Sequence, residues 1–232
     1  MSACLVYAIH GFLGHSSDWC RIKKSLPELN FIAEELFSKD PTIGTESFRK
    51  FQGKKIFLGY SLGGRLGLQI LKKTPELFDH YIFLSTNPGL PATDAEERKI
   101  RILNDQKWSE KISQKNWAGF LEEWNEQAVF RGSTAEPKRD INLYDLQKLK
   151  KSLKKWSLGL QEDFSDIIRV NNHKITWVVG DRDKKYCEIA EQMKNKKILS
   201  GYERILSGHR IWLDNPDAVV ELVKQVFPAS TR

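Results

Sequence analysis

The sequence predicts an α/β domain, a mostly parallel sheet flanked by helices, with an all-helical segment inserted into it. Three observations lead there. Short apolar runs alternate with stretches of helical periodicity at both ends of the chain, as a parallel sheet covered on both faces requires. Residues 91–160 interrupt that alternation with helical patterns alone. Finally, Gly59-Tyr60-Ser61-Leu62-Gly63 lies between an apolar run at 56–58 and a helical pattern at 64–71, a strand, a sharp turn and a helix in succession.

Taken in order, residues 5–9 read as a first buried strand that ends in His10-Gly11-Phe12-Leu13-Gly14. A loop and a helix near 19–26 follow, then a second strand at 30–37. Lys39-Asp40-Pro41-Thr42-Ile43-Gly44 breaks the chain before a short helix at 46–51. After the Ser61 strand and helix, 81–84 reads as the next strand. Thr93 and Glu96 have capping-box spacing at the start of a charged helix running towards Trp108. Trp117, Phe120, Leu121 and Trp124 fall on one helical face, and 143–156 reads as a further helix carrying Lys148, Lys150, Lys151, Lys154 and Lys155. Strands at 175–179 and 203–206 resume the alternation, with helices at 188–194 and, started by Pro216, at 216–227. The division expected is a core of 1–90 and 161–232 with a cap of 91–160.

The totals fit one such domain. A chain of 232 residues, 40% hydrophobic and 29% charged, has the composition of a soluble globular protein. Its net charge of +7 favours anionic partners, but no nucleic-acid motif accompanies the charge. The lysines at 148–155 read as a solvated helix face without interleaved aromatics that would stack bases. Three cysteines, Cys4, Cys20 and Cys187, share no metal-ligand spacing and suit a reducing compartment. With no signal-like or membrane-length apolar run, a cytoplasmic protein is expected, with neither metal nor cofactor.

The chemistry expected centres on Ser61. Glycines on either side allow the tight turn that lifts its hydroxyl above a helix N-terminus, where a developing negative charge is favoured. A serine nucleophile or base needs a general base, and that base an orienting acid. His209, after the 203–206 strand, supplies the first. Asp183 or Asp181, after the 175–179 strand, supplies the second, Asp183 preferred because Asp181 has the setting of a turn residue. Both loops follow carboxyl ends of strands, where ligand sites of open parallel sheets gather. The oxyanion donors expected are the backbone N–H groups of Leu62 and Phe12. His10 reads as structural, and His15, His80 and His173 as surface or packing residues.

These motifs are those of the α/β-hydrolases, and further residues narrow the resemblance. His10-Gly11-Phe12-Leu13-Gly14 with Asp18-Trp19, then Gly59-Tyr60-Ser61-Leu62-Gly63-Gly64-Arg65, resembles the menaquinone-pathway lyases called SHCHC synthases, whose product is 2-succinyl-6-hydroxy-2,4-cyclohexadiene-1-carboxylate. Asn87-Pro88-Gly89-Leu90 with Glu96-Glu97 and Arg101, Trp124 with Gln127 and Val129-Phe130, and Gly180-Asp181-Arg182-Asp183-Lys184-Lys185-Tyr186 are similar to that family as well. The resemblance implies an α/β-hydrolase fold with a helical cap and elimination of pyruvate from a polycarboxylate, with Ser61 as base. It also implies substrate contacts from Tyr60, Arg65, Arg101 and Trp124. Arg139 is the nearest match to a further cap arginine, with Arg131 behind it, and Trp212 stands where the family often has a second histidine. Residues 26–59 form a shorter segment than usual. Rival readings are a serine carboxylesterase or thioesterase, acting on a small acidic ester or one borne by an acidic carrier protein, and a non-catalytic binding relative.

Overall fold

A computed structural model describes residues 4–36, 45–134 and 136–227. Six strands form one sheet: β1 (Cys4–Ile9), β2 (Asn30–Glu34), β3 (Lys54–Tyr60), β4 (His80–Leu84), β5 (Ile175–Gly180) and β6 (Glu203–Ile205). Their order is β2-β1-β3-β4-β5-β6, and every neighbouring pair is parallel. Because successive strand side chains alternate between faces, the apolar runs divide cleanly. Tyr7, Phe57, Tyr81, Phe83, Trp177 and Val179 enter one core layer. Val6, Ala8, Ile56, Leu58, Ile82 and Val178 enter the other. Burial on both faces is what turns such strands into continuous apolar runs.

The chain leaves β1 for β2 on one side and returns to β3 on the other. The loops after β1 and β3 therefore diverge at a switch in strand order, the place where open α/β sheets bind ligands. Short helix α1 (Cys20–Lys24) follows a 3-10 turn at Ser16–Trp19, where the sequence suggested one helix over 19–26. Helix α2 (Leu62–Lys73) starts directly after Ser61. Strand β2 stops at Glu34, short of the expected end at Phe37, because the chain turns away at Glu35 and Leu36; residue 37 and the break expected at 39–44 lie outside the described residues. Between β2 and β3 the described residues hold a 3-10 turn, Thr45–Lys50, where a short helix at 46–51 was expected.

Between β4 and β5 the described elements are all helical: α3 (Ala95–Lys111), α4 (Trp117–Asn125), α5 (Leu146–Lys155), α6 (Ser165–Val170) and short 3-10 turns. Leu13 from the loop after β1 joins Ile112, Phe120, Leu149 and Leu153 in a small core of their own. The Tyr144 hydroxyl donates to the Leu13 carbonyl at 2.8 Å, pinning the same junction. The capping box expected at Thr93 and Glu96 is absent. Asp94 precedes α3 without a side-chain cap, and its carbonyl accepts from the Arg98 amide at 3.0 Å. Helix α5 begins at Leu146, three residues late, because Asp145 accepts from the amides of Gln147 and Lys148 and fixes the N-terminus there. Lys148, Lys151, Lys154 and Lys155 are exposed along it, a solvated face. The last elements are α7 (Lys184–Asn195), α8 (Ile211–Asp214) and α9 (Pro216–Val226), the last with Pro at its first turn. No helix among the described residues is long and apolar enough to cross a membrane.

Candidate active site

Ser61 occupies the corner between β3 and α2 with φ 51° and ψ −110°. Such a left-handed angle is rare for a residue with a Cβ, and the surroundings must enforce it. They do so by close approach. A Cβ at Gly63 would lie 2.2 Å from the Ile9 carbonyl oxygen and 2.5 Å from that of His10. One at Gly59 would lie 2.6 Å from the Gly64 Cα. The Ser61 amide donates to the Leu84 carbonyl at 2.9 Å, holding the corner against β4.

The loops after β5 and β6 meet behind it. The Asp181 amide donates to the Ile205 carbonyl, the Arg182 amide to that of Ser207, and the Ser207 amide to Asp181 Oδ1 at 3.0 Å. Asp181 is thus spent on the turn. Asp183, 2% exposed, lies 2.6 Å by Oδ2 from His209 Nδ1. Its other oxygen accepts from the Tyr186 amide and caps α7. His209 Nε2 faces Ser61 Oγ at 3.3 Å. A carboxylate at Nδ1 keeps the proton on that nitrogen and leaves Nε2 as the acceptor for the serine hydroxyl. Tyr186, Phe130 and Tyr60 pack around the imidazole, with ring centroids 4.6, 5.6 and 5.5 Å away. Burial pushes the Tyr186 phenol up to about 12 and that of Tyr60 higher still, so both stay neutral donors.

Leu62 is the first residue of α2, where amides have no acceptor within the helix. Phe12 sits in the turn after β1, closed by the Gly14 amide donating to the Gly11 carbonyl at 3.0 Å. Both border the cavity in front of Ser61. His10 is buried, its Nδ1 2.8 Å from the Gly11 carbonyl and its Nε2 accepting from the Leu36 amide, a loop strut away from Ser61.

Two cavities share Ser61 and a wall of Phe12, Trp124 and Phe130. The larger, about 350 Å³, holds Arg65, Arg101 and Lys185, together with His209 and Tyr186. Arg65 donates to the Gln161 side chain at 2.9 Å and to the Trp156 carbonyl at 2.8 Å. Desolvation, then the Arg101 charge, lower its pKa to about 10, which leaves it cationic at neutral pH. Arg101 donates by Nε to the buried Asp105 at 3.0 Å. The smaller cavity, about 50 Å³, is bordered by Tyr60, Asp18, Arg139 and Arg210. Arg139 therefore does not join Arg65 and Arg101. It forms a two-pronged pair with Asp18 at 2.7 and 2.9 Å, both side chains buried.

The sequence reading missed Arg210, Asp105, Gln161 and Asn125. Asp105 stands four residues after Arg101, a helical pairing that spacing could have exposed. Arg210 adjoins His209 in the chain, but only the fold turns it onto the Phe130 ring, 4.0 Å from the centroid.

No family model matches the chain. An SHCHC synthase of Klebsiella pneumoniae is 25% identical over 94% of this chain and 92% of its own length. A Haemophilus influenzae relative, provisionally given the same name, is 28% identical over 79% of this chain and 83% of its own. Among solved structures, MenH from S. aureus superposes with a TM-score of 0.77 at 18% identity, covering 96% of this chain and 92% of that one. A thermophilic esterase from Thermogutta terrifontis, solved with malate bound, gives 0.65 at 14% identity over 97% and 90%. The parallel sheet, the strained serine corner and these likenesses agree: the chain is an enzyme of the α/β-hydrolase fold, similar to the SHCHC synthases.

Proposed function

We propose that this enzyme eliminates pyruvate from a succinyl-cyclohexene enolpyruvate polycarboxylate, as an SHCHC synthase does, with residues 91–160 as a cap over a core of 1–90 and 161–232. The observation that carries the reading is the placement of Arg65 and Arg101 in one aromatic-walled cavity with Ser61 and His209. Two guanidiniums there suit substrate carboxylates, which they bind with directional forks. A neutral ester has no use for them.

In this reading His209 draws the proton from Ser61 Oγ, and the serine oxygen removes a proton from carbon beside a carbonyl. Asp183 stabilises the imidazolium that results. The oxygen that gains enolate character is held by the amides of Leu62 and Phe12, fixed before reaction by the helix start and the β1 turn. Collapse breaks the bond between ring carbon and enolpyruvyl oxygen. That oxygen leaves with the electron pair, and a proton returned from His209 completes pyruvate. Trp124 and Phe130 supply the apolar wall for the ring and Tyr60 a donor beside it. The reaction needs no cofactor, and the three free cysteines suit a cytoplasmic setting.

The test is pyruvate release from that substrate by the wild type and by Ser61→Ala. Release should fall at least about 10³-fold in the variant, with the fold retained. Near-full release by Ser61→Ala would sink the proposal. Ester or thioester cleavage without pyruvate release would instead favour the esterase reading, with an acidic carrier protein as the acyl donor in the thioester case.

A further inference from the structure

Helix α3 reverses the usual pattern of a surface helix. Its buried residues are Asp105 and Ser109, with Ile102 and Trp108 only half-buried, while Ile100 and Leu103 stand 48% and 46% exposed. A surface helix ordinarily turns its apolar stripe inward, and a local rule broken in this way marks a functional position. Arg101, Asp105 and Ser109 follow one another at four-residue spacing and so share one side of the helix. Ser109 donates to the Lys150 carbonyl at 3.2 Å and fixes that side against α5. Arg101 and Asp105 line the larger cavity together with Ser61.

An anion in a cavity that receives carboxylates repels them, so a buried aspartate there needs a reason. Asp105, 2% exposed, accepts by Oδ2 from Arg101 Nε at 3.0 Å. A guanidinium has two edges that match a carboxylate, one through Nε–H and an Nη–H, the other through both Nη groups. Asp105 closes the first edge and leaves the second: neither Nη group of Arg101 has a hydrogen bond among the described residues. Arg65, by contrast, commits a donor of each Nη group to Gln161 and to the Trp156 carbonyl. Beyond desolvation, the Arg65 pKa is lowered by Arg101 and raised by Asp105, so the three charges act as one group.

We propose that Asp105 is a positioning residue: it holds Arg101 by the Nε edge so that the Nη edge meets a substrate carboxylate. The inference rests on the reading of this cavity as a carboxylate site and names the group that orders it. The Arg101 side chain is 37% exposed and its stem has several rotatable bonds. A buried anchor one turn along the same helix selects one geometry before the substrate arrives, which lowers the ordering penalty of binding.

The experiment is succinate binding by ligand-observed NMR, with KM and kcat for pyruvate release, in wild type, Asp105→Ala, Arg101→Gln and the double variant. Charge and orientation predict opposite signs. If Asp105 acted by charge alone, removing it would tighten a dicarboxylate. If it orients Arg101, Asp105→Ala should weaken succinate about tenfold, the loss expected for one charge-assisted contact. KM should rise by a similar factor with kcat within about threefold, since the contact is made before and during reaction alike. In the Arg101→Gln background the same substitution should change succinate binding less than about twofold. Asp105→Asn, which keeps an oxygen for Nε without the charge, should fall between wild type and Asp105→Ala, and serves if the alanine variant does not fold. Unchanged or tighter succinate binding by Asp105→Ala, an equal loss with and without Arg101, or no succinate binding to the wild type at tens of millimolar would overturn the role. Succinate binding that depends on Asp105 in an enzyme that releases no pyruvate would leave the role standing and remove the lyase reading. Pyruvate release with succinate binding indifferent to Asp105 would do the opposite.

Discussion

Replacing Asp183 by Asn separates the orienting acid from the turn acid. The substituted side chain has the same shape and keeps an oxygen for the Tyr186 amide, so the start of α7 and the fold should survive. Where the second carboxylate oxygen stood, an NH2 group now faces His209 Nδ1 across 2.6 Å. Two donors cannot face each other there, so the imidazole moves its proton to Nε2 and loses the lone pair aimed at Ser61. The variant also lacks the anion that stabilises the imidazolium, a charged hydrogen bond in a site where both partners are almost fully buried. That bond alone is worth about 1.5–3 kcal/mol. With the wrong tautomer added, the rate should drop about 10³–10⁴-fold, or about 4–5.5 kcal/mol of barrier. Asp181→Asn keeps an acceptor for the Ser207 amide and does not touch His209. Its rate should stay within about threefold, since no group at the reacting atoms changes. The assay is kcat for pyruvate release by both variants, with circular dichroism and a thermal melt as fold controls. A folded Asp183→Asn enzyme within tenfold of wild type, or a larger loss from Asp181→Asn, would refute the assignment.

Gly63→Ala would drive a Cβ into the Ile9 and His10 carbonyls, backbone atoms that cannot rotate away. Overpacking of this kind should cost about 2–3 kcal/mol and lower Tm by about 5–10 °C, and an unchanged melt would show the corner to be looser than described. Arg65→Ala should reduce kcat/KM for the carboxylated substrate about 10–100-fold while sparing a short neutral ester, since one charged hydrogen-bonding group is lost. Equal losses on both substrates would make Arg65 a strut to Trp156 and Gln161 rather than a carboxylate ligand. Acid should destabilise the fold in two steps. Desolvation, with the Lys54 charge adding to it, pushes His80 down to about 4 from 6.5. Its contribution is therefore present above pH 6.5 and lost as pH falls through 4. Burial raises the Glu35 pKa, but hydrogen bonds with His10 and Ser16 outweigh it and bring the carboxyl to about 2. Its contribution is present above pH 4.5 and lost as pH falls from there through about 2. The decline between pH 6.5 and 4.5 thus belongs to His80, and His80→Gln should flatten the urea-midpoint profile there; an unaltered slope would contradict this.

What could be read from the sequence followed from burial and strain. Strands β1, β3, β4 and β5 are covered on both faces, so composition alone marks them. Ser61 and His209 were legible because a strained corner and a loop after a strand end need glycines beside them, and Gly59, Gly63 and Gly208 each pack where a Cβ would clash. Helices α6 and α8 went unread, being six and four residues long, too short for a period to register. Phe164 and Ile168 nonetheless anchor α6 in the sheet core. The arginines were harder. Arg65 and Arg101 share a cavity, but Arg139 finds Asp18 across 121 residues of chain, a pairing decided by where the loop after β1 meets the helices. No local pattern encodes that choice, and it is what moves Arg139 from the larger cavity to the smaller.

The most direct test is one ratio: kcat/KM for pyruvate release from the succinyl-cyclohexene enolpyruvate substrate over kcat/KM for hydrolysis of a short p-nitrophenyl ester, measured on the same preparation. A carboxylate-clamping lyase site predicts fast pyruvate release and little ester cleavage, the first lost when Ser61 is replaced. Ester cleavage with no pyruvate release would contradict it, leaving the fold and the Ser61–His209–Asp183 geometry in place and the substrate to be sought among acidic esters.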